Sequence, residues 1–587
     1  MMTVEEVIKN RHSGDMDQLD FIFSNEKNVF VTAPAGCGKT TAMVSKIARE
    51  LSEGKIPANK KILAMTFSVN AAMKIKDSLK SILPELVENG TYYLKKVDIA
   101  NYHNFAMRIL FKYGYSINNE FTNFSAFTIA NDTSAIARRY ITSSDQNIMD
   151  SFENAIKHSD ADMLRNLMSD YWRIMNEKLI NNHIITYNGI LVAAIKLLEN
   201  ENVSKFYQEY YKMILIDEFQ DTNLLGYLLI QKLFGGNSFV FLGDDVQKIY
   251  GFMGAISNIL GIVSQEYGAK EYTFKTNYRF KDNARMKQLD LLIRDYAENY
   301  RPSSLNAEIL LKELSAEKAE DIFIVDGIER IIHNSRDKVA VLVRAGWQGN
   351  SIVSELNGRN IKYFNALYGE MDQEYTNFYK VLEEEYHNNV SGKALQRDLN
   401  KCLEAMKERE SDVYNDASRK YIFDSMFKLL QIQFEQVKSW DGTSKDKYDN
   451  LDFIIGNKGL KHMMEYIEER VVLTTIHASK GLEWDYVIIP KLNAHAFPPS
   501  KHVCKPCEAD YSCNSGMKYC EFTFGNNMKK MFQEEISIFY VAVTRAKKDV
   551  FMTVNTGNNK YNYHNKTNCL INLQGITSSD YEWATVV

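Results

Sequence analysis

The sequence is poor in cysteine, in long apolar runs and in net charge. Its seven cysteines in 587 residues do not suggest a disulfide framework. No uninterrupted apolar run approaches the roughly 18 residues that a membrane-spanning helix needs. The first residues, MMTVEE, have neither the basic start nor the apolar centre of a secretory signal. We therefore expect a cytoplasmic protein that does not associate with a membrane.

The sequence also lacks a strong excess of charge of either sign. Lysine and arginine together number 70, aspartate and glutamate 75, and the formal net charge is −5. This balance excludes a protein coated in basic surface, but it allows a nucleic-acid binder because a basic groove can lie within an acidic whole. There is no internal repeat of fixed period and no low-complexity linker. A hydrophobic content of 45% is typical of globular domains, and the length allows three or four of them.

A phosphate-binding loop is predicted at residues 33–40, which read APAGCGKT. The segment follows an apolar run that predicts a buried strand, and it precedes a helical pattern. Its glycines let backbone N–H groups converge on phosphates, and the helix N-terminus adds a favourable dipole. Lys39 would reach the β- and γ-phosphates, and the Thr40 hydroxyl would ligate Mg²⁺. Because Ala33 replaces the first glycine of the usual pattern, a second motif is needed.

Two acidic residues supply that second motif. Asp217 and Glu218 follow the apolar run at residues 213–216. They therefore lie at the carboxyl end of a predicted strand, where α/β proteins bind ligands. Asp217 can hold Mg²⁺ through water, and Glu218 can polarise the attacking water. An acidic pair alone often does no more than end a strand. In a chain that also contains a phosphate loop, it indicates a nucleotide hydrolase.

A further strand at residues 238–243 runs into a polar loop that contains Gln247, Tyr250 and Phe252. Gln247 stands where a polar side chain could sense the γ-phosphate. The two aromatic residues suit base stacking, and the alternative is a small hydrophobic plug under the loop.

The pattern along the chain predicts an α/β fold, because apolar strands alternate with helices in two separate parts of it. In the second part, strand-like stretches occur at residues 274–280, 321–325, 339–344, 471–477 and 486–490. Each part is interrupted by a mostly helical segment. We predict two parallel-sheet domains, the first formed by residues 1–111 and 206–273 with an insertion at 112–205, the second by residues 274–369 and 471–587 with an insertion at 370–470.

Four cysteines lie within a short segment near the end of the chain: Cys504, Cys507, Cys513 and Cys520. Four thiolates at this spacing can hold a tetrahedral ion, and the site would be structural because no ligand position stays open. Zn²⁺, an iron–sulfur cluster and reduced, unligated cysteines all remain alternatives.

The ordered motifs resemble those of the UvrD/Rep-like helicases of superfamily 1. In that family alanine commonly takes the first position of the phosphate loop. Five further segments resemble family motifs: residues 66–72, 101–105, 216–221, 243–252 and 475–484. Residues 540–546 are similar to the last motif, whereas Phe252 stands where many members carry tryptophan. The resemblance implies two RecA-like motor domains.

The resemblance also implies roles for individual residues. Gln18 is similar to an adenine-reading glutamine, and Tyr278 to an adenine-stacking tyrosine. The implied ATP site comprises Gln18, Ala33, Ala35, Gly36, Cys37, Gly38, Lys39, Thr40, Thr41, Tyr278 and Glu483. The implied catalytic residues are Lys39, Asp217, Glu218, Gln247, Arg279 and Arg545, with Mg²⁺ held by Thr40 and Asp217. The implied DNA contacts are Phe67, Asn70, His103, Tyr250, Phe252 and His477.

The resemblance implies an ATP-dependent helicase or translocase that moves 3′→5′ on single-stranded or tailed duplex DNA. An alternative is a DNA-stimulated ATPase that serves as motor or sensor beside a separate nuclease, for example in anti-phage defence. Two features motivate this alternative: the second insertion looks shorter than in better-known members, and no nuclease constellation follows Arg545. A nucleotide-binding scaffold without turnover conflicts with the filled hydrolytic positions.

Overall fold

The chain divides into two compact units, Met1–Tyr278 and Arg279–Val587, in the computed structural model. The described residues are 3–66, 69–86, 93–249, 251, 254–369, 372–438, 443–456, 458–494, 496–497, 526–558, 565 and 567–587. Within these ranges, no helix combines the length and the apolar character that a bilayer span requires.

A parallel sheet forms the centre of the first unit. The strands of this unit are β1 (Asn28–Thr32), β2 (Lys61–Thr66), β3 (Val97–Asn101), β4 (Thr128–Ala130), β5 (Ile184–Thr186), β6 (Tyr211–Asp217), β7 (Ser238–Gly243) and β8 (Lys270–Thr273). The short strands β4 and β5 pair with each other, and the other six form one sheet in the order β3-β2-β6-β7-β1-β8. The inner strands are apolar along their length because helices bury both faces of the sheet.

Helices surround this sheet and build the first insertion. They are α1 (Val4–Arg11), α2 (Met16–Phe23), α3 (Lys39–Ser52), α4 (Val69–Leu86), α5 (Tyr102–Tyr113), α6 (Ala135–Arg138), α7 (Ser143–Lys157), α8 (Ala161–Ile174), α9 (Tyr187–Leu197), α10 (Glu201–Tyr210), α11 (Leu224–Leu233) and α12 (Ile259–Tyr267). Polar side chains start several of them: Asp15 caps α2 and Asn101 caps α5, each accepting an N–H of the first turn.

The strand register brings the ends of the first sheet level with one another. Thr32 pairs with Gly243, and Thr66 pairs with both Asn101 and Asp217. All of these residues are the last of their strands. The loops after β1, β2, β3, β6 and β7 therefore leave the same edge of one parallel sheet, where ligands of α/β proteins bind.

A second parallel sheet forms the centre of the other unit. Its strands are β9 (Ala307–Leu314), β10 (Val339–Val343), β11 (Phe364–Ala366), β12 (Val471–Thr475), β13 (Trp484–Ile489), β14 (Ala546–Asn555) and β15 (Ile576–Ser579). Within the described ranges they form a seven-stranded sheet in the order β11-β12-β10-β13-β14-β9-β15. The prediction of two parallel sheets is confirmed.

The helices of the second unit lie mainly between β9 and β12 and before β14. They are α13 (Ala284–Asn299), α14 (Glu317–Asn334), α15 (Asn350–Gly358), α16 (Gln373–Asn389), α17 (Gln396–Glu408), α18 (Lys420–Lys438), α19 (Ser444–Gly456), α20 (Asn526–Val543) and α21 (Trp583–Val586). Between β11 and β12 the regular elements that the structure describes are all helices, joined by short non-helical stretches.

Two of the predicted strands of the second sheet are wrong. Residues 321–325 lie inside α14, because Ile324, Ile328 and Ile331 recur at helical spacing and are all buried. A short apolar run cannot by itself distinguish a strand from a buried helix. Residues 274–280 form no strand, and the amide of Phe274 continues from β8 by donating to the carbonyl of Thr32 at 3.0 Å.

Candidate nucleotide site

The phosphate loop joins β1 to α3 as a tight turn. Gly36 and Gly38 have φ angles of 79° and 74°, a left-handed conformation that glycine adopts at little cost. Helix α3 begins at Lys39, directly after the second of these glycines. The loop therefore ends at a helix N-terminus, whose exposed N–H groups and dipole favour an anion.

The carbonyl groups of this loop are held by donors from the protein. Four such pairs occur: Lys39 Nζ to Ala33 O at 3.0 Å, Asn277 Nδ2 to Ala35 O at 3.2 Å, the Tyr278 amide to Gly36 O at 3.0 Å, and Gln18 Nε2 to Cys37 O at 2.8 Å. These donors fix the carbonyl side of the turn against the protein, and within the turn the Cys37 amide donates to Pro34 O at 3.3 Å. Successive backbone N–H groups in such a left-handed turn can form an anion-binding nest.

Gln18 is the centre of a buried polar cluster beside the loop. It is 2% exposed, and its Oε1 contacts Nδ1 of His12 while its Nε2 bonds the loop. His12 Nε2 contacts the Ser45 hydroxyl of α3 at 2.8 Å. Burial lowers the pKa of His12, so the neutral ring donates from Nδ1 to the amide oxygen and accepts from the hydroxyl. Both ends of the Gln18 amide are thus engaged within the protein.

Helix α2 is fixed to α3 by a second set of buried bonds. The ammonium group of Lys46 donates to the carbonyls of Phe21 and Ser24, at 3.2 and 3.0 Å, which end α2. Burial lowers the pKa of Lys46 to about 8. At the other end of α2, the hydroxyl of Tyr278 donates to Asp15 at 2.6 Å. Burial raises the pKa of this tyrosine, which stays a neutral donor.

The acidic pair lies at the end of β6, where the backbone takes an unusual conformation. Glu218 has a φ of 52°, which is uncommon for a residue with a side chain and is often found at functional sites. Its amide is held by the Asp217 carboxylate at 2.9 Å, and its carboxylate accepts from Gln220 Nε2 at 2.5 Å. The turn therefore fixes the direction of both carboxylates.

A chain of hydrogen bonds connects this turn to the loop after β7. Gln220 Oε1 accepts from the amide of Asp244 at 3.1 Å. The Asp244 carboxylate in turn accepts from Gln247 Nε2 at 2.8 Å. Through these residues Glu218 and Gln247 belong to one hydrogen-bonded network, although they lie after different strands.

The oxygen ligands suit a divalent cation. Asp217 is almost fully buried at the end of β6, and Thr40 lies in the first turn of α3 with a partly exposed side chain. Carboxylate and hydroxyl oxygens are the ligands that Mg²⁺ prefers. Ala33, Ala35 and Cys37 are buried, whereas Thr41 is exposed.

In the second unit the two predicted arginines lie next to each other. Arg279 donates to the Glu483 carboxylate and to the carbonyl of Thr544. Arg545 follows Thr544 and is 4% exposed. Its guanidinium donates to Val541 O at 3.0 Å, Leu482 O at 3.3 Å and Thr544 Oγ1 at 3.2 Å. Arg279 and Arg545 are 266 positions apart in the chain, yet both lie at the amino ends of β13 and β14.

Two of the predicted DNA contacts have described side chains. His103 lies in the first turn of α5, and its ring meets that of Tyr187 edge-on at 5.9 Å. His477 follows β12. Burial lowers the pKa of both rings to about 4, so both are neutral near pH 7. Asn70 lies on α4, without a described side chain.

Several predicted site residues lie outside the described residues: Phe67, Tyr250, Phe252, Cys504, Cys507, Cys513 and Cys520. Among the residues that are described, no three His, Cys, Asp or Glu side chains are grouped so as to hold a metal ion.

Sequence reasoning missed the residues that hold the site together. His12, Ser45 and Asp15 anchor Gln18 and Tyr278. The sequence placed Asn277 next to Tyr278 and Asp244 in an acidic loop, but it indicated no role for either residue. Their roles depend on hydrogen bonds between distant segments, for which the spacing along the chain carries no signal.

Two protein-family models match the chain. Residues 15–268 match the N-terminal domain of the UvrD/REP helicases, and residues 365–557 match the UvrD-like helicase C-terminal domain. Together the matches cover more than half of the chain. The first contains the phosphate loop and the acidic pair, and the second contains His477, Glu483 and Arg545.

The chain is also similar to bacterial helicases over most of its length. It is 23% identical to DNA helicase II of Rickettsia typhi, over 92% of each chain. It is 23% identical to a probable DNA helicase II homolog of Mycoplasma genitalium, over 89% of this chain and 82% of the relative. It is 23% identical to the ATP-dependent DNA helicase PcrA of Staphylococcus aureus, over 92% of this chain and 82% of the relative.

Proposed function

The chain belongs to the UvrD/Rep-like family of superfamily 1 DNA helicases, and from this membership we propose that it uses ATP hydrolysis to move 3′→5′ along single-stranded DNA and to separate duplex strands ahead of it. The observation that carries the proposal is the arrangement at one edge of the first sheet. The phosphate loop follows β1, Glu218 follows β6, and Gln247 follows β7, which lies between them. A phosphate cradle, a base and a polar sensor therefore leave neighbouring strands.

Glu218 is the residue we propose as the general base. Water attacks the γ-phosphorus, and its proton passes to the Glu218 carboxylate as the new P–O bond forms. The bond from the γ-phosphorus to the bridging oxygen breaks, and ADP leaves with the electron pair. Gln220 holds the carboxylate at 2.5 Å, which orients it before the reaction.

Lys39 and the backbone of the phosphate loop hold the charge of the nucleotide. The Lys39 ammonium lies at Ala33 O in this structure, within the turn that receives the phosphates. When bound, Mg²⁺ would be held by Thr40 and Asp217 and would neutralise charge on phosphate oxygens.

Arg279 and Arg545 are proposed to stabilise charge on the transferring phosphoryl group, a role that rests on family resemblance. Their guanidinium groups are planar and permanently charged, which suits this task. The contact of Arg279 with Glu483 and Thr544 sets the position from which it acts.

This hydrogen-bonded network provides a physical link between hydrolysis and the loop after β7. Gln220 and Asp244 connect Glu218 to Gln247. In the sequence, Tyr250 and Phe252 follow Gln247 closely, and we propose that they stack on DNA bases. Stacking is tolerant of sequence, as movement along any strand requires.

The test uses the purified full chain with single-stranded DNA and with blunt, 3′-tailed and 5′-tailed duplexes. We expect single-stranded DNA to raise ATP turnover at least about tenfold and the 3′-tailed duplex to be unwound in preference to the other two. Lys39→Ala should abolish both activities, because no other side chain of the loop carries a positive charge.

Three other results of these assays would change the proposal. Unwinding of the 5′-tailed duplex alone would contradict the direction. DNA-stimulated hydrolysis without unwinding would favour a motor or sensor subunit that works with a separate nuclease. ATP turnover that does not respond to DNA would refute the proposed function.

A further inference from the structure

One large aromatic side chain of the second unit projects into solvent. Trp347 is 68% exposed, more than any other large hydrophobic side chain in the described part of the chain. It lies in the 3-10 turn Gly346–Gly349, which follows the carboxyl end of β10. A tryptophan ring contributes strongly to binding energy when it is covered, so a persistently exposed ring at a ligand-binding edge requires an explanation.

The turn that carries Trp347 is rigid. A Cβ atom on Gly346 would lie 2.7 Å from the Leu367 carbonyl oxygen, and one on Gly349 would lie 2.4 Å from a methyl carbon of the same leucine. At Gly346 the close atom belongs to the backbone, so only glycine fits there without a backbone shift, whereas at Gly349 the leucine side chain would have to move. Gln348 is buried and donates to Ala496 O at 3.0 Å, while it accepts from the Ala345 amide at 2.9 Å. The ring is therefore presented by a fixed backbone.

The turn passes the carboxyl end of the neighbouring strand. Strand β12 lies between β11 and β10 in the sheet. The turn starts from β10 and packs on Leu367, directly after β11. It therefore lies beside the end of β12, where the Ile476 amide donates to Val343 O at 3.0 Å. His477 is the next residue along the chain.

Positive side chains accompany Trp347 at this edge. Arg344 is the first residue after β10, and the amide of Lys480 donates to the carbonyl of His477 at 3.4 Å, so a cation lies on each of the two segments that leave this edge. Arg344 is held by two bonds from its guanidinium to Glu535 of α20, at 2.8 and 3.2 Å. An exposed ring with a cation just before its own turn and another on the neighbouring segment matches single-stranded nucleic acid, which offers stacking faces and phosphates together.

We propose that Trp347 stacks on a base of single-stranded DNA and that Arg344 and Lys480 attract the adjoining phosphates. The inference rests on the proposed function, because it takes DNA as the substrate. It adds a subsite on the turn after β10. A protein interface is the competing use of such a ring, and the test distinguishes the two.

The test measures the affinity of the full chain for a fluorescein-labelled oligothymidylate by anisotropy. We expect Trp347→Ala to raise the Kd roughly 5- to 100-fold, the range for losing one stacked base. Trp347→Phe should recover most of the affinity, because phenylalanine keeps a stacking face. The matched control is Phe111→Ala, which removes an aromatic side chain that is 60% exposed in the first unit, and it should leave the Kd unchanged.

Fluorescence gives a second readout that misfolding would not imitate. Stacking on a base should quench the Trp347 emission of the wild-type protein, and Trp347→Phe should lose that quench while still binding DNA. A wild-type Kd for Trp347→Ala, with or without loss of a protein partner, would overturn the inference. Failure of the proposed function would appear earlier, as wild-type turnover that does not respond to DNA.

Discussion

The side-chain amide of Gln18 donates a hydrogen bond to the carbonyl of Cys37, 2.8 Å away. This bond fixes helix α2 to the phosphate loop, and a Cβ atom on the next residue, Gly38, would lie 2.8 Å from the same amide nitrogen. The other end of the amide is held by His12. In this conformation the glutamine positions the loop, whereas the family resemblance assigns it to reading adenine.

Replacing Gln18 by alanine separates these two roles. If it positions the loop, Gln18→Ala should raise the KM for ATP and for GTP by a similar factor, about tenfold. It should also lower the free energy of unfolding by about 1–3 kcal/mol, because His12 and the Cys37 carbonyl lose a buried partner. Steady-state kinetics with both nucleotides and urea unfolding measure these effects.

The control is Gln373→Ala, which removes an exposed glutamine of α16. A loss confined to ATP, with GTP unaffected, would instead establish Gln18 as the residue that reads adenine.

Glu218→Gln should bind ATP but hydrolyse it about 10²–10⁴ times more slowly, the usual contribution of a general base. The amide keeps the size of the side chain and a hydrogen bond to Gln220, yet it cannot accept the proton of water. Nucleotide binding by calorimetry and single-turnover hydrolysis give the two quantities. Glu201→Gln is the control, since that carboxylate on α10 is 83% exposed. Undiminished turnover in Glu218→Gln would show that another group is the base.

Arg279→Lys should reduce kcat by about 10³-fold or more while the protein stays folded. Lysine keeps the charge but cannot contact Glu483 and Thr544 O together, so the cation loses its fixed position. Turnover at saturating ATP and DNA is the measurement. Arg301→Lys makes the same chemical change at a side chain that is 64% exposed, and it should behave as wild type. A kcat close to wild type in Arg279→Lys would remove this arginine from the catalytic group.

The stability of the first insertion should depend on pH through Asp132. This carboxyl is buried and accepts from Tyr171, from Thr186 at 2.9 Å and from Asn188 at 2.7 Å. Burial raises its pKa to about 6. The folded state therefore holds the proton more tightly than the unfolded chain, and the stability that this proton provides is lost as pH rises from about 4 to 6.

Because one pKa unit corresponds to about 1.4 kcal/mol, the loss amounts to about 3 kcal/mol. Asp132→Asn should remove this part of the pH dependence, since an amide does not titrate. Urea unfolding of both proteins at pH 4 and pH 7, which span this window, measures the effect as the change with pH in the wild-type protein minus the change in Asp132→Asn. An equal change with pH in the two proteins would mean that Asp132 is ionised throughout.

The strand and loop pattern was readable from the sequence because it depends on neighbouring residues. Glycines and a lysine after an apolar run predict a phosphate loop, and two acids after another predict a metal and base site. Such signals are local, and both segments occupy the predicted places after β1 and β6. The run at residues 321–325 shows the limit of this reasoning, because five residues taken alone do not reveal the helical spacing of Ile324, Ile328 and Ile331, which bury one face of α14.

Contacts between distant segments were not readable in this way. The burial of Gln18 depends on His12 and Ser45, and the pairing of Arg279 with Glu483 spans 204 positions. Trp347 belongs to none of the motifs that the sequence showed. Only its position beside the end of β12 suggests a contact with DNA.

The sequence by itself determined the chemistry of this protein: which side chains can hold phosphate, activate water and carry permanent positive charge. The tertiary structure decided which of these side chains are fixed by hydrogen bonds, and which residues fix them. Apolar periodicity and turn residues act over a few positions, so they specify strands, helices and loops. Hydrogen bonds such as Gln18 to Cys37 form only after the chain has folded, because their partners meet through packing.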